Sequence, residues 1–276
     1  MVNLMGMTLE EIEEFIQGLG KERYRARQLF RWIYRKGAID FGVMTDLSKS
    51  FREELSRIAR IGGVREVRRL VSEDRTAAKF LFRLEDGAYV ESVLIRDDDR
   101  RTVCLSSQVG CPLRCRFCAT GQMGFHRNLT AGEIVGQLLH VRRVLWEDGE
   151  DLTNVVLMGM GEPLLNYDQV LKAVRLIRHE MGIALGARRI TLSTAGVVPG
   201  IERLAGEGVP LGLAISLNAT DDATRTELMP INRRYPIGVL IRAAKDFART
   251  YKRRITFEYV PVSYTHLRAH ETRHDL

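Results

Sequence analysis

Apolar positions recur every three to four residues through the first part of this chain and every two residues after it. Leu9, Ile12, Ile16 and Leu19 form one stripe, Thr8 and Glu11 make a capping box ahead of it and Gly20 closes it, which predicts a first helix. Leu29, Phe30, Trp32 and Ile33 predict the buried side of a second helix, leaving Arg23, Arg25, Arg27, Arg31 and Arg35 outward. A third is expected near Ser50, with Glu53 three residues on, burying Phe51, Leu55 and Ile58. Then the period becomes two. Residues 79–84 and 89–95, joined by a turn at 85–87, predict a β-hairpin, and 101–108 a further strand. Beyond it, strand patterns at 154–158, 189–193, 211–217 and 255–260 alternate with helical ones near 130–145, 167–177, 200–205 and 237–250. Thr130 and Glu133 make another capping box. Such alternation predicts an α/β fold, a partial (βα) TIM-like barrel with its ligand site at the C-terminal strand ends, preceded by a small helical accessory domain. The expected units are a helical domain at 1–75, a β-hairpin extension at 76–100, an incomplete barrel at 101–261 and a separate tail at 262–276.

A chain of 276 residues, 45% hydrophobic, can bury one large core plus a small accessory unit. No apolar run approaches the ~20 residues of a membrane span, and no secretory signal is visible. The expectation is a cytoplasmic monomer that does not touch membranes. The net charge of +7 is concentrated at residues 21–69, which hold fourteen Lys or Arg against six acids. That cluster suits nucleic-acid phosphates, and equally a solvated helical surface without a partner.

All four cysteines lie within fifteen positions, too close together to staple a fold by disulfides. Cys111, Cys115 and Cys118 can converge on one metal centre, because a tight loop brings thiols at this spacing to one side. A structural zinc site wants four ligands, as does an electron-transfer iron–sulfur cluster. A 4Fe–4S cluster held by three thiols leaves one iron open to a small molecule. The CxxxCxxC spacing resembles that of the radical S-adenosylmethionine (SAM) enzymes. With Cys104, seven residues upstream, a closed four-cysteine zinc site is the alternative, which would make the chain a non-catalytic RNA-binding module.

The strand at 154–158 runs into Gly159-Met160-Gly161-Glu162-Pro163, where glycine lets backbone approach a ligand and Glu162 can accept from an ammonium group. Ser193, and Ser216-Leu217-Asn218, end the next two strands; they can hold a ribose or carboxylate, or simply cap the following turn. Glu91 shares a strand face with Tyr89, Val93 and Ile95, where burial would raise its pKa and suit proton transfer; guarding a sheet edge is the other reading.

Residues 25–34 (RARQLFRWIY), 106–111 (SSQVGC), 118–122 (CATGQ), 158–163 (MGMGEP) and 228–236 (LMPINRRYP) together resemble one radical SAM family, in order over residues ~1–262. It is the dual-specificity RNA methyltransferases that methylate C2 of adenine in 23S ribosomal RNA and in transfer RNA. The related adenine-C8 methyltransferases share the cluster loop, and the N-terminal helical unit tilts the comparison toward C2. The resemblance implies a 4Fe–4S cluster on Cys111, Cys115 and Cys118, SAM contacts from Gly161, Glu162, Ser193, Ser216, Leu217 and Asn218, and RNA as partner. It implies a methyl-carrying cysteine near the C-terminus, a resolving cysteine matched by Cys104, and Glu91 as acceptor of the adenine C2 proton. A donor such as flavodoxin with its reductase would feed the cluster.

The likeness stops near Pro261. Residues 262–276 carry three of the six histidines, His266, His270 and His274, with no apolar periodicity, and look like translated junction sequence. No cysteine follows Cys118, so the expectation is that this sequence binds the cluster but does not methylate RNA.

Overall fold

A computed structural model describes residues 1–259. The helical unit is closed on itself, because β1 (Val2–Asn3) pairs in parallel with β2 (Ala59–Arg60). Between them run α1 (Leu9–Gly18), α2 (Tyr24–Phe30), which continues into a π-helical turn at Arg31–Arg35, and α3 (Lys49–Ile58). The first capping box forms as its sequence dictates, with the Thr8 hydroxyl accepting the Glu11 N–H and the Glu11 carboxylate accepting the Thr8 N–H. The third helix begins earlier than expected. Ser48, not Ser50, is its cap, because an N-cap oxygen meets the amide three residues on, here that of Phe51.

The sheet holds eight strands in the order β12-β11-β10-β9-β6-β5-β4-β3. The predicted hairpin is β4 (Ala77–Arg83) and β5 (Tyr89–Asp97), and it joins this sheet directly. β3 (Arg65–Val71) adds an exposed edge the apolar pattern gave no sign of, since Arg and Glu fill much of it. β6 (Arg100–Cys104) pairs antiparallel with β5 and parallel with β9 (Asn154–Leu157), so the sheet changes sense there. Parallel strands β10 (Ile190–Thr194), β11 (Gly212–Ser216) and β12 (Thr256–Glu258) complete it.

The strand expected at 101–108 breaks at Cys104. Residues Gln108–Gly110 (β7) instead pair with Phe125–Asn128 (β8), a two-stranded clasp whose arms bracket the cysteine loop and the short α4 (Ala119–Gln122). Gly110 has φ +73°, and a Cβ there would lie 1.8 Å from the Gly124 carbonyl oxygen, so only glycine closes the clasp.

Helices α5 (Ala131–Glu147), α6 (Tyr167–Arg178), α7 (Val198–Gly206), α8 (Asp222–Leu228) and α9 (Ile237–Tyr251) follow the strands. Along the central strands one face is fully buried (Phe80, Phe82, Val90, Leu94, Val103, Val155). The other is only half-buried, a row that passes through Val93, Cys104, Val156 and Thr191. That asymmetry is what a helix-clad barrel wall requires, with a dry exterior under the helices and an interior face left for a ligand. One apolar core runs continuously from Leu4 in the helical unit to Phe247 in α9. Among the described residues no helix is long and apolar enough to cross a membrane. The tail from 262, with His266, His270 and His274, lies outside the described residues.

Candidate active site at the strand ends

Arg114 takes φ +54° and turns the loop sharply, and the Cys118 N–H closes on the Cys115 carbonyl at 3.1 Å. The Cys111 N–H is fixed by the Gly124 carbonyl at 2.9 Å across the clasp, and the Arg116 N–H by Leu228 of α8 at 2.9 Å. Cys115 packs with Ala195, Ala219, Leu228 and Met229 in a small second apolar cluster. All three loop thiols line one cavity with Met158, Gly161, Glu162, Ser193, Thr194, Ser216 and Glu258. Cys104 does not line it. No three Cys, His, Asp or Glu side chains among the described residues converge as ligands of a single ion. Three thiols on one cavity, with Cys104 outside it, match the ligand number of a cluster with one open iron.

The electrostatics point the same way. Among the described residues no Lys, Arg or His lines the cavity, yet two carboxylates and three thiols do. Burial pushes the Cys111 thiol up to about 11 and Cys115 up to about 12, and neighbouring Glu162 and thiols add to the rise. These thiols ionise as ligands only against a cationic occupant, and an iron centre is one. The donor set therefore fits the cluster.

Glu162 is 3% exposed, and its carboxylate accepts the Ala195 N–H at 2.8 Å and the Leu164 N–H at 3.1 Å. Burial raises its pKa to about 7 against those hydrogen bonds. Its first task is thus to lock the end of β9 onto the end of β10, while one edge still lines the cavity. Gly161 lines the cavity and has a second reason to be glycine: with φ +99°, its Cβ would lie 2.5 Å from that of Gln108. The glycine admits the 105–108 segment, which Gln137 of α5 holds by both backbone atoms of Ser106.

Ser193 and Ser216 both line the cavity, and both donate to one carboxylate oxygen, Oε2 of Glu258, at 3.0 and 2.8 Å. Leu217 and Asn218 are tied to the same strand end. Their backbone N–H groups donate to the Glu258 carbonyl, and the Asn218 side chain is buried against Met229 rather than in the cavity. Glu91 is neither buried nor on a sheet edge. β5 lies between β4 and β6, and the carboxylate, 42% exposed, pairs with Lys79 at 3.0 Å. It shares the interior face with Cys104, whose thiol burial pushes up to about 11, the charge of Glu258 adding to the rise.

Two residues were missed. Glu258 ends the last described strand, and asking what terminates each parallel strand would have found it. Arg225 on α8 gave no signal, since an arginine on a short helix reads as surface; it is 0% exposed. Its guanidinium donates to the carbonyls of Ala195, Ser216 and Leu217 and to Asn232 Oδ1 at 2.7–3.2 Å. It ties the ends of β10 and β11 together behind the cavity.

Residues 2–61 match the ribosomal RNA large subunit methyltransferase N-terminal domain, and residues 105–270 the radical SAM superfamily. The dual-specificity RNA methyltransferase RlmN of Geobacter sulfurreducens is 49% identical over 94% of this chain and 70% of its own length. The probable RlmN of Moorella thermoacetica is 48% identical over 99% of this chain and 78% of its own. A crystal structure of a radical SAM methyltransferase from Sphaerobacter thermophilus superimposes with a TM-score of 0.93 at 47% identity, covering 96% of this chain and 78% of that one. With a three-thiol loop set at the ends of parallel strands and these likenesses over nearly its whole length, the chain belongs to the RlmN family of radical SAM methyltransferases.

Proposed function

We propose that this protein is a radical SAM RNA methyltransferase of the class that acts on C2 of adenine in 23S ribosomal RNA and in transfer RNA, with the methyl-carrying step needing a cysteine that residues 1–276 do not supply. The observation that carries the reading is the cavity itself, with three thiols, two carboxylates and, among the described residues, no basic side chain, at the C-terminal ends of β9 to β12. SAM brings a sulfonium and an ammonium, both cationic, and such a site favours both. When bound, a cluster with one open iron supplies the electron that breaks a carbon–sulfur bond of SAM.

The chain's own residues do the rest. Cys111, Cys115 and Cys118 hold the cluster; Glu162 fixes the strand ends beside it. Cys104 and Glu91 lie on the interior face beyond, where an inserted adenine would meet a carboxylate able to take the C2 proton, and where Cys104 would resolve the methyl-carrying cysteine that the resemblance implies and residues 1–276 do not contain. Lys79 orients that carboxylate. The choice of C2 over C8 rests on the N-terminal helical unit.

Residues 100–132 contain five arginines and no Asp or Glu, and the loop exposes Arg114, Arg116, Met123 and Phe125. A basic surface with apolar contacts on the outside of the cysteine loop supports docking of an acidic flavodoxin-type donor. We place the protein in the cytoplasm as a monomer, where reduced thiols and RNA coexist.

The test is binding of the cluster-loaded protein to a 23S rRNA fragment and to a tRNA, each with the adenine replaced by 2-fluoroadenine in a parallel sample. Binding of both RNAs, weakened by the C2 substituent, is expected. Binding of neither, or indifference to the substituent, would contradict the assignment.

A further inference from the structure

We infer that Glu258 is a cofactor-binding residue whose carboxylate accepts the ribose hydroxyls of SAM, held for that task by Ser193 and Ser216. The inference rests on the SAM site proposed above and assigns it a residue.

Both serine hydroxyls donate to the same oxygen, Oε2, at 3.0 and 2.8 Å. Among the described residues Oε1 accepts no hydrogen bond and the carboxylate makes no ion pair. Register puts the three side chains on one face, since Ser216 pairs with Glu258 and Ser193 with Ala214, two residues before Ser216. All three line the cavity that the cluster thiols share. A cavity-lining carboxylate that has spent one oxygen on positioning has the other left to accept donors from an occupant.

The position along the row of strand ends selects the group. Glu162 and the cysteine loop close the cavity at the β9 end, and Glu258 ends β12, three strands away. A cofactor with its amino-acid end at the cluster extends its nucleoside toward Glu258. Of the groups there, the sulfonium has no hydrogen to donate and adenine is no vicinal donor pair. The ribose diol is two adjacent hydroxyls, and an acidic side chain is how dinucleotide folds also hold a ribose. Ser193 and Ser216 line the cavity as expected and, by donating to Oε2, also brace Glu258.

The experiment measures equilibrium binding of SAM and of its 2′-deoxy and 3′-deoxy analogues to the 276-residue protein with its cluster reconstituted and oxidised, so that no cofactor is consumed. Wild type is compared with E258A and E258Q, with iron content and thermal unfolding of each variant as folding controls. Wild type is expected to lose about tenfold or more in affinity when the contacted hydroxyl is removed, the usual worth of a hydrogen bond to a charged group. E258A should bind SAM more weakly by a similar factor and no longer distinguish the analogues. E258Q keeps the shape and loses the charge, so it should discriminate less than wild type; it carries the comparison alone if E258A does not fold. Equal binding of SAM and both analogues by wild type, or undiminished discrimination by the variants, would overturn the assignment. Failure of wild type to bind SAM at all would instead remove the site reading on which it rests.

Discussion

Arg225 shows how much of this site is held by a side chain that never enters it. Its guanidinium is fully buried and meets four acceptors on the ends of two strands and on Asn232, while burial lowers its pKa. Removing it leaves those carbonyls without their donor. R225A is expected to destabilise the protein by roughly 3 kcal/mol or more, and R225K by less, measured by denaturant unfolding. Glu162 carries a structural task beside the ammonium contact expected of it: the backbone N–H groups of Ala195 and Leu164 take one lone pair on each oxygen, and the residue still lines the cavity. Spacing pointed to the residue but could not say which of its lone pairs the fold would claim. Glu91 lies on the face its pattern indicated, but it is part-exposed and paired with Lys79 of the neighbouring strand, a cross-strand fact no linear pattern contains.

Elements with strong local chemistry were legible. Both capping boxes start helices where predicted, because each is decided within four residues. The strand–helix alternation was equally clear, since buried parallel strands write continuous apolar runs. β3, β7 and β8 were not. The first is an exposed edge rich in arginine, and the other two are short and held by long-range pairing rather than by hydrophobic period. Arg127 on β8 joins the clasp to two other elements, donating to Asp86 in the β4–β5 turn at 2.6 Å and to both oxygens of Glu133 at 2.7 and 2.9 Å. Hydrogen bonding from Arg127 lowers the Asp86 pKa to about 2 from 3.8. A depressed carboxylate stabilises the fold above its unfolded pKa and loses that contribution as pH falls through its folded one. D86N should therefore be less stable than wild type above about pH 4, and the gap should close as pH falls toward about 2; thermal unfolding across that range reads it. A gap independent of pH would show that the charge is not the link.

At the scale of the molecule the basic helical unit and the catalytic face belong to one core, so RNA gripped by the first can be presented to the second. The arginines are not equivalent. Arg23 is paired with Glu13, and Arg25 is tied to Gln28 and to the Asp46 carbonyl, but Arg31 and Arg35 are exposed without a described ion-pair partner. Charge reversal of Arg31 and Arg35 should weaken RNA binding across sequences and reduce the slope of log affinity against log salt by about one per lost phosphate contact. Affinity and slope both unchanged would remove this surface from the RNA path.

The central claim is that three thiols and no fourth hold a cluster able to reduce SAM. Its most direct test is anaerobic incubation of the reconstituted, reduced protein with SAM and quantitation of 5′-deoxyadenosine, beside C115A. Formation by wild type and loss in the variant, with about four irons per chain in wild type, is the expected result. Tightly bound zinc with no 5′-deoxyadenosine would contradict it.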